Sequence, residues 1–567
     1  MSNLSLIKIL WDKITNKRKF YLFGILSLVN ALSDAINIGL LIPFINVMSK
    51  PELLFQYPYF KYLINLFEFN LNPRIFILIL FIGILLISSS FRIYINWFSL
   101  KFSYSISENF AQKIYSNVLY KDYLEIIKES SSKTIGDITY RVNATSNVIL
   151  SIVLIFNNVI LSLLILISLL LVNFSSIGTV LLGIGIIYLV ITFAFKSEIS
   201  KKSKLISKTQ TELIKIVQEG IGGIKEVILT SSQSFFINEF KNRYNDLTKS
   251  LVYNSFISSS PKILIEVISI ALLLMFYFFS VAKDGDITKI IGLISVIAFG
   301  AQKLLPSLQT IYQNWTNITS NKFLVLDVLE NLKFKITNPS KIKKLNFEEK
   351  FELNLSKFSY EGQKSSTLEG LNLNFNKGDK IGIIGPSGTG KSTLINIISG
   401  LILDFKGEIK IDNIKLDKKN IRLWQDQIAF VPQNVFIFDS SLEENITFGI
   451  EKRKDININS LLKQVKLDKF IKGRNLKKIP LGEKANMISG GEKQRIALAR
   501  ALYRNTSLII FDEATNALDK KVEDEIFKMI YSLQKTIIII THNTKNLQGC
   551  DKIFELKNKK LEKVYVH

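Results

Sequence analysis

Histidine and cysteine are almost missing from this 567-residue chain, which contains only His542, His567 and Cys550. So few imidazoles offer neither a histidine-based metal site nor a Ser-His-Asp triad. The single cysteine excludes an intramolecular disulfide framework and suits a reducing compartment. Acidic residues are also scarce relative to basic ones, since 48 Asp and Glu face 72 Lys and Arg, for a formal net charge of +24. The chemistry must therefore come from other side chains, and the basic excess needs its own explanation.

Charge is also missing from long stretches of the N-terminal half. Crossing a hydrocarbon core ~30 Å thick takes about 20 helical residues. Residues 161–172 are uncharged and 181–195 equally apolar, which argues against the long buried helices of a soluble protein. A shorter amphipathic stretch, residues 4–14, is expected to lie at the inner membrane surface. We predict six membrane-spanning helices, at residues 20–48, 74–98, 148–172, 177–195, 252–281 and 287–312.

The distribution of Lys and Arg predicts how these spans are oriented. Basic residues are dense between the second and third spans and between the fourth and fifth, whereas the loop at residues 173–177 has no charge. By the positive-inside tendency, the two basic segments and both termini face the cytoplasm. The excess charge therefore indicates topology and contact with anionic lipid, and not a nucleic-acid partner. The helical periodicity of both segments predicts that the spans continue as helices beyond the membrane.

The most specific motif is GPSGTGKST, which fits the phosphate-loop pattern G-x-x-x-x-G-K-[ST] between a predicted strand and a predicted helix. Its glycines let backbone N–H groups point at a phosphate, its lysine supplies a charge, and its first hydroxyl can ligate Mg²⁺. The sequence therefore predicts ATP binding with Mg²⁺. The residues involved are Gly385, Pro386, Ser387, Gly388, Thr389, Gly390, Lys391, Ser392 and Thr393.

Further segments follow the phosphate loop in a fixed order. The strand-like run LIIFDE ends in Asp512, which would hold Mg²⁺, and Glu513, which would act as general base on the attacking water. The segment ISGGEKQR opens a predicted helix, and free N–H groups at a helix start form an anion site. His542 follows another strand-like run and can donate a hydrogen bond to a γ-phosphate. Together these segments predict a nucleotide-hydrolysing domain.

From about residue 351 onward the chain resembles the ATP-binding cassette (ABC) family. In family terms GPSGTGKST is the Walker A loop, LIIFDE the Walker B strand and ISGGEKQR the signature. Two positions depart from the family pattern, Ile488 in place of leucine and Glu492 in place of glutamine, and we expect both to leave phosphate contact intact. The resemblance implies further roles: Gln433 as the Q-loop glutamine and a Mg²⁺ ligand, Asp519 in the D-loop, His542 as the switch histidine, Tyr360 stacking on adenine, and Ser489, Gly490 and Gly491 contacting phosphate.

The layout resembles the exporter-type members of this family. We predict an all-α six-helix transmembrane domain at residues 1–330, a linker at 331–350 and an α/β P-loop NTPase domain at 351–567. One such chain is half of a working transporter, so we expect a homodimer, with each ATP between the phosphate loop of one copy and the signature of the other. The resemblance also implies that cytoplasmic turns at residues 123–131 and 222–232 contact the ATPase.

The membrane half gives three indications of a substrate. Residues 49–73 form an aromatic-rich outer segment suited to an interfacial helix. Arg92, Lys262 and Lys303 lie at similar depth within three spans. They either bind a phosphate head group, or they snorkel to the inner interface or pair with Asp34 and Glu266. The segment QEGIGGIKE, Asp34 and LLP in the last span resemble PglK-type lipid-linked oligosaccharide flippases. That resemblance implies flipping of a lipid-linked oligosaccharide or polysaccharide precursor across the bacterial inner membrane; the alternative is export of peptides, lipids or drugs.

Overall fold

The computed structural model describes residues 2–14, 17–52, 72–172, 174–284, 287–334, 345–363, 365–451, 453, 455–468, 481–482, 488–515 and 517–564. At some helical positions, including 174–189, 272–284 and 287–297, it describes the backbone alone. The chain divides into two compact units. The first contains Met1–Lys121 and Ile127–Ile336, and the second contains Asp122–Ile126 and Thr337–His567.

The described part of the first unit consists of helices joined by short turns. A π-helical turn, Asp137–Arg141, joins α5 to α6, and the first residues of α4 belong to the second unit. The helices are α1 (Asn3–Lys13), α2 (Lys17–Ser49), α3 (Pro73–Leu119), α4 (Tyr123–Lys128), α5 (Ser131–Gly136), α6 (Val142–Val172), α7 (Phe174–Gly222), α8 (Ile224–Leu229), α9 (Gln233–Asp284), α10 (Ile287–Ser320) and α11 (Lys322–Asn331).

Three of these helices are much longer than a membrane is thick. Helices α3, α7 and α9 contain 47, 49 and 52 residues. At 1.5 Å per residue they are about 70–80 Å long, more than twice the ~30 Å hydrocarbon core. Each predicted span on them, at 74–98, 177–195 or 252–281, therefore lies within a longer continuous helix.

Within the described residues, three helical stretches are long and apolar enough to cross a membrane: Lys17–Asn37, Arg74–Leu119 and Ser131–Leu170. They overlap the first three predicted spans. The spans predicted at 177–195, 252–281 and 287–312 lie on α7, α9 and α10, where some of the side chains, including those at 177–189, 272–281 and 287–297, are outside the described part of the structure. Most of the outer segment 49–73, namely residues 53–71, lies outside the described residues as well.

Helix α1 was predicted as an amphipathic surface helix, and its apolar face packs on protein. Leu6 and Leu10 are almost completely buried in an apolar cluster with residues of α3 and α6. The Asn3 side-chain amide also donates to the hydroxyl of Thr319 at 2.7 Å. Leu4 points away from this cluster and is 70% exposed. The helix therefore anchors the start of the chain to the helical bundle.

A buried polar network holds the π-helical turn against two other helices. The Arg141 guanidinium is paired with the neighbouring Asp137, with Asp327 of α11 at 2.9 Å and with the Thr211 hydroxyl of α7 at 2.7 Å. Asn331, at the end of α11, donates to the Asp137 carboxylate at 2.9 Å. Buried charges are tolerated only when they are paired and hydrogen-bonded. This network therefore fixes how α7, α11 and the turn meet.

The second unit contains two β-sheets. The first is antiparallel, in the order β2-β1-β4-β5, and the second has the order β10-β9-β3-β8-β7-β6. The strands are β1 (Lys350–Phe358), β2 (Leu368–Asn376), β3 (Lys380–Ile384), β4 (Lys406–Ile411), β5 (Ile414–Lys415), β6 (Ile428–Val431), β7 (Leu508–Asp512), β8 (Thr536–Ile540), β9 (Lys552–Lys557) and β10 (Lys560–Val564). The main helices are α12 (Lys391–Ile398), α13 (Ile421–Gln425), α14 (Leu442–Thr447), α15 (Ile458–Gln464), α16 (Gly490–Arg504) and α17 (Lys520–Ser532).

The centre of the second sheet is parallel, and its strands carry the predicted motifs at one edge. Ile381 on β3 pairs with Ile538 on β8, and Ile510 on β7 pairs with the same residue from the other side. Near-continuous runs of isoleucine fit strands that are buried on both faces. Because β3, β7 and β8 run in the same direction, the phosphate loop, the Asp512-Glu513 pair and His542 all follow their carboxyl ends. The predicted fold, a helical domain followed by an α/β domain, is confirmed.

Candidate nucleotide and substrate sites

The phosphate loop joins the end of β3 to the start of α12 in a conformation that needs glycine. Gly385 has φ 154°, and a Cβ there would lie 2.5 Å from the backbone oxygen of Leu556. Gly390 precedes α12 with φ 102°, and a Cβ there would lie 2.9 Å from the Leu368 side chain. The loop residues between them, Pro386 to Gly388, are exposed. The loop therefore turns tightly against the protein and faces solvent with its tip.

Lys391 folds back over this loop. Its ammonium group donates to the carbonyl oxygens of Gly385 at 2.6 Å and Pro386 at 3.0 Å. Burial lowers the pKa of Lys391, and the nearby charges of Glu513 and Asp512 oppose that shift. Next to it in the first turn of α12, the Ser392 side chain is exposed. Lys391 thus lies at the mouth of the loop with its charge held by carbonyl groups.

The two carboxylates after β7 have different environments. Burial raises the pKa of Asp512, the adjacent Glu513 charge raises it further, and Lys391 opposes both. Glu513 adopts left-handed backbone geometry with φ 49°, which is uncommon outside glycine and stores strain at functional sites. Its N–H donates to the carbonyl oxygen of Ile540 at 2.9 Å. That bond fixes Glu513 beside the end of β8, where His542 follows.

Glu513, the predicted base, meets Gln433 and His542 at this point, and we predict catalytic roles for all three. The Gln433 side-chain nitrogen donates to Oε2 of Glu513 at 2.8 Å. Nε2 of His542 lies 2.6 Å from Oε1 of the same carboxylate. Glu513 has only 12% of its side chain exposed, whereas His542 has 46% exposed. The structure therefore places a shielded carboxylate between two polar side chains that reach it from separate loops.

Tyr360 lies near the first turn of α12. Its hydroxyl is 3.2 Å from the Thr393 hydroxyl, and its ring packs edge-on against Phe358 with 5.0 Å between ring centroids. The ring is partly buried against the apolar core of the unit. Tyr360 is therefore adjacent to the phosphate loop, and its stacking on adenine stays a prediction.

The signature segment begins α16 with a capping box. The Ser489 hydroxyl caps the helix, and the Glu492 carboxylate returns to the Ser489 N–H at 2.7 Å and to its hydroxyl at 2.9 Å. Glu492 is one of the two departures from the family pattern, and the prediction that it leaves phosphate contact intact stays a prediction. The pattern Ser-x-x-Glu is itself the signal of a capping box, so the contact was available from the sequence. Glu492 therefore touches the serine that is predicted to contact phosphate.

The signature also packs against the D-loop. A Cβ on Gly491 would lie 2.9 Å from the backbone oxygen of Ala517, so the helix start needs glycine for this close approach. The Ala517 N–H donates to the Gln494 side chain at 3.1 Å. Asp519 is exposed at the start of α17, and the neighbouring Asn516 lies outside the described residues. The signature and D-loop thus form one packed surface.

Of the two predicted ATPase contacts, the first involves residues of the second unit itself. Asp122 accepts from the Lys418 ammonium at 2.5 Å, and this bond raises the pKa of Lys418. Leu124 packs against the apolar core that includes residues of α12, the helix after the phosphate loop. The other predicted turn contains α8 in the first unit, and its contact with the ATPase stays a prediction.

Two of the three predicted substrate cations meet at one carboxylate in the first unit. Asp34 is fully buried and pairs with Arg92 of α3 at 2.8 Å and with Lys303 of α10 at 3.0 Å. The Ser88 hydroxyl donates to the same carboxylate at 2.9 Å. We call these four residues the Asp34 cluster. The predicted pairing with Asp34 therefore occurs for Arg92 and Lys303.

Lys262 does not join the Asp34 cluster. It pairs instead with Glu266, one turn further along α9, at 3.7 Å, and both side chains are about half exposed. An exposed pair at this spacing contributes little to stability. The expected group of three cations at one level is therefore reduced to two, with Lys262 in a separate pair.

The predicted Mg²⁺ ligands are chemically suited to that ion. Asp512, Ser392 and Gln433 offer a carboxylate, a hydroxyl and an amide oxygen, and Mg²⁺ prefers such hard oxygen donors together with phosphate and water. The Gln433 amide nitrogen is the atom directed at Glu513, which leaves its oxygen for a cation. The donor set fits Mg²⁺.

Parts of the chain are similar in sequence to known proteins. Residues 368–516 match the family described as ABC transporter. The ATP-dependent lipid A-core flippase of Wigglesworthia glossinidia brevipalpis is 29% identical over 392 residues, which are 65% of each chain. The multidrug resistance-like ATP-binding protein MdlA of Buchnera aphidicola subsp. Schizaphis graminum is 35% identical over 220 residues, 38% of this chain and 37% of the relative. The chain thus covers less than two thirds of the length of each of these relatives.

A solved structure extends the likeness in fold to almost the whole chain. It is described as a bacterial Atm1-family ABC exporter with ATP bound, and it superposes with a TM-score of 0.79 at 17% sequence identity, covering 96% of this chain and 94% of the other. At that identity the likeness concerns the fold. Residues 368–516 therefore match the ABC transporter family, and the chain as a whole has the fold of an ABC exporter.

Proposed function

We propose that this protein is an ATP-driven flippase that moves an anionic lipid-linked oligosaccharide or polysaccharide precursor across the bacterial inner membrane. In this proposal two copies form a homodimer with the ATPase domains in the cytoplasm. The ATPase domain, the apolar helices and a relative named as a lipid A-core flippase support ATP-driven export of a lipid. Closure of the two ATPase domains on nucleotide turns the membrane cavity outward, and hydrolysis resets it.

The geometry of the site supports the chemistry that we propose for it. Glu513 accepts a proton from the attacking water, and Gln433 and His542 hold its carboxylate in position through the contacts at 2.8 and 2.6 Å. Lys391 and the loop N–H groups bind phosphate oxygens. Asp512, Ser392 and Gln433 would hold Mg²⁺, which would supply positive charge to neutralise the phosphates. Ser489, Gly490 and Gly491 of the second copy complete the site from the other side.

The observation that carries the choice of substrate is the Asp34 cluster. It contains two cations and one carboxylate, so it has a formal charge of +1 among helices that include candidate membrane spans. The Arg92 side chain is 50% exposed although its partner is fully buried. Ionisable groups within membrane helices mark substrate pathways by default, and a guanidinium presents donors that match phosphate oxygens. A phosphate or pyrophosphate head group is the ligand that this charge and these donors favour.

The experiment compares three variants in liposomes that contain a polyprenyl-pyrophosphate sugar. Arg92→Gln and Lys303→Met remove the two cluster cations, and Lys262→Met removes a cation from the separate α9 pair as the matched control. We expect the ratio of lipid-stimulated to basal ATP hydrolysis to fall at least severalfold in the two cluster variants and to stay at the wild-type value in the control. ATP-dependent head-group translocation should fall in parallel.

Two results would contradict the proposal. An unchanged ratio in both cluster variants removes Arg92 and Lys303 from the substrate site. Wild-type hydrolysis and translocation that ignore the sugar lipid altogether remove the substrate class. The second candidate, export of a peptide or drug, is favoured by the relative named as multidrug resistance-like, and stimulation by amphipathic cations in the same liposomes would support it.

A further inference from the structure

Glu492 accepts the hydroxyl proton of the signature serine, Ser489. Its Oε2 accepts from the Ser489 N–H at 2.7 Å and from the Ser489 hydroxyl at 2.9 Å, while its own N–H donates to the hydroxyl oxygen at 3.3 Å. A serine hydroxyl has a single proton to donate. As long as that proton is given to Glu492, it is not available to a phosphate oxygen.

The same domain contains a second capping box with nearly the same geometry. At the start of α14, Glu444 accepts from the Ser441 N–H at 3.0 Å and from the Ser441 hydroxyl at 2.9 Å. The Glu444 N–H donates to the same hydroxyl oxygen at 3.2 Å. Both boxes satisfy N–H groups at a helix start. Of the two serines, only Ser489 belongs to the segment that meets the nucleotide of the other copy in the proposed function.

The Glu492 carboxylate also carries a negative charge close to the position that a nucleotide phosphate must occupy in the proposed function. A phosphate oxygen that accepts from the Ser489 hydroxyl would lie about 5–6 Å from the Glu492 carboxylate, since each hydrogen bond spans about 3 Å. At that distance two negative charges repel each other appreciably unless water screens them. The nearby Arg495 is directed elsewhere, to the carbonyl oxygens of Gly491 at 3.3 Å and Lys466 at 2.8 Å.

We propose that Glu492 restrains closure of the ATPase dimer: nucleotide must take the Ser489 hydroxyl from Glu492 and approach its charge before the two copies can close. The inference rests on the proposed function, which places Ser489 against the nucleotide of the partner copy. Glu492 is a positioning residue in this scheme, acting on phosphate through Ser489. It raises the ATP concentration at which the dimer closes.

The test uses Glu492→Gln, because a glutamine oxygen can still accept from the Ser489 N–H while the charge is gone. Glu444→Gln is the matched control, with the same change in the other capping box. Both are made in full-length protein carrying Glu513→Gln, so that hydrolysis does not reset the closed state. Closure is measured in liposomes by spin-label distances across the ATPase domains as ATP is titrated with Mg²⁺.

We expect Glu492→Gln to lower the ATP concentration for half-maximal closure by about tenfold at 0.1 M salt, from the Coulomb repulsion it removes. Glu444→Gln should stay within about twofold of its parent. Raising the salt to 1 M shortens the Debye length from about 10 Å to about 3 Å, and the advantage of Glu492→Gln should shrink accordingly. A lost helix cap would not respond to salt in this way.

The outcomes distinguish failure of the proposed Glu492 role from failure of the proposed dimer. An unchanged or higher ATP concentration for Glu492→Gln, or an equal shift in Glu444→Gln, overturns the role of Glu492 while the dimer stays intact. Failure of the Glu513→Gln parent to close with ATP at any concentration refutes the proposed dimer, and the inference fails with it. Thermal unfolding without nucleotide, measured for both variants, shows whether either change has disturbed the fold.

Discussion

Replacing Glu513 by glutamine tests the central assignment of the ATPase site. In the structure the carboxylate accepts from Gln433 at 2.8 Å, lies 2.6 Å from Nε2 of His542, and is held in place by the N–H bond of Glu513 to Ile540. Glutamine has nearly the same shape and keeps the backbone bond, but its amide accepts through one oxygen only. Losing one hydrogen bond to a charged acceptor lowers the free energy of unfolding by about 1.5–3 kcal/mol. The domain should therefore remain folded.

The effect on hydrolysis is expected to be much larger. A positioned general base contributes typically 10²–10⁴-fold to the rate, which corresponds to about 3–5 kcal/mol of transition-state stabilisation. ATP binding should survive, because the loop, Lys391 and Asp512 are untouched. Since the Glu513 charge helps to raise the pKa of Asp512, its removal should lower that pKa and leave Asp512 an ionised carboxylate. The variant is therefore expected to bind nucleotide tightly and turn it over slowly.

The assay measures phosphate release and nucleotide binding on the same preparation. Lys391→Ala provides the contrast, because it removes the charge predicted to bind phosphate and should weaken nucleotide binding itself. Turnover by Glu513→Gln within about tenfold of wild type would refute the assignment of the base. Loss of binding in Glu513→Gln, at the level of Lys391→Ala, would instead show that the carboxylate has a structural role.

Two further predictions concern stability and reactivity. Arg141→Met should destabilise the helical unit by about 3–5 kcal/mol, because it leaves the Asp137 and Asp327 charges without their Arg141 partner. In thermal unfolding, the double variant Arg141→Met/Asp137→Asn should recover part of the lost stability. Equal melting temperatures of the single and double variants would contradict the network. Burial raises the pKa of the Cys550 thiol to about 11, so only about 0.1% is thiolate at pH 8. Alkylation by iodoacetamide should be at least about 100-fold slower in native than in unfolded protein, and similar rates would contradict the burial.

The sequence predicted the general architecture because its signals were local and strong. The phosphate-loop pattern stands between an apolar strand and a helix, and the structure has β3 before it and α12 after it. Asp512 and Glu513 follow a run of apolar residues that forms β7. Such runs of isoleucine and leucine predict central strands, and parallel strands bring their carboxyl ends to one edge. The meeting of Glu513 with His542 follows from that topology.

Local sequence pattern could name candidate contacts between distant segments but could not decide which of them form. Nothing in the spacing of Arg92, Lys262 and Lys303 shows that two of them meet Asp34 while the third pairs with Glu266 along its own helix. The pairing depends on which helix faces point at each other, and helix periodicity leaves that open. The Arg141 pair with Asp327 crosses 186 positions of the chain for the same reason. By contrast, the Glu492 contact with Ser489 was readable as a capping box.

The proposed ligand sites share a physical feature that bears on turnover. Lys391 donates to loop carbonyls, the Ser489 hydroxyl donates to Glu492, and the Arg92 and Lys303 cations bond to Asp34. An anionic ligand at any of them must exchange existing bonds for new ones, so its net binding free energy is the difference between two similar terms. Moderate affinity is what a cyclic transporter needs, because a ligand that is bound too tightly in one state is not released in the next. Removing the Glu492 or the Asp34 carboxylate should therefore tighten binding of the anionic ligand and slow the cycle.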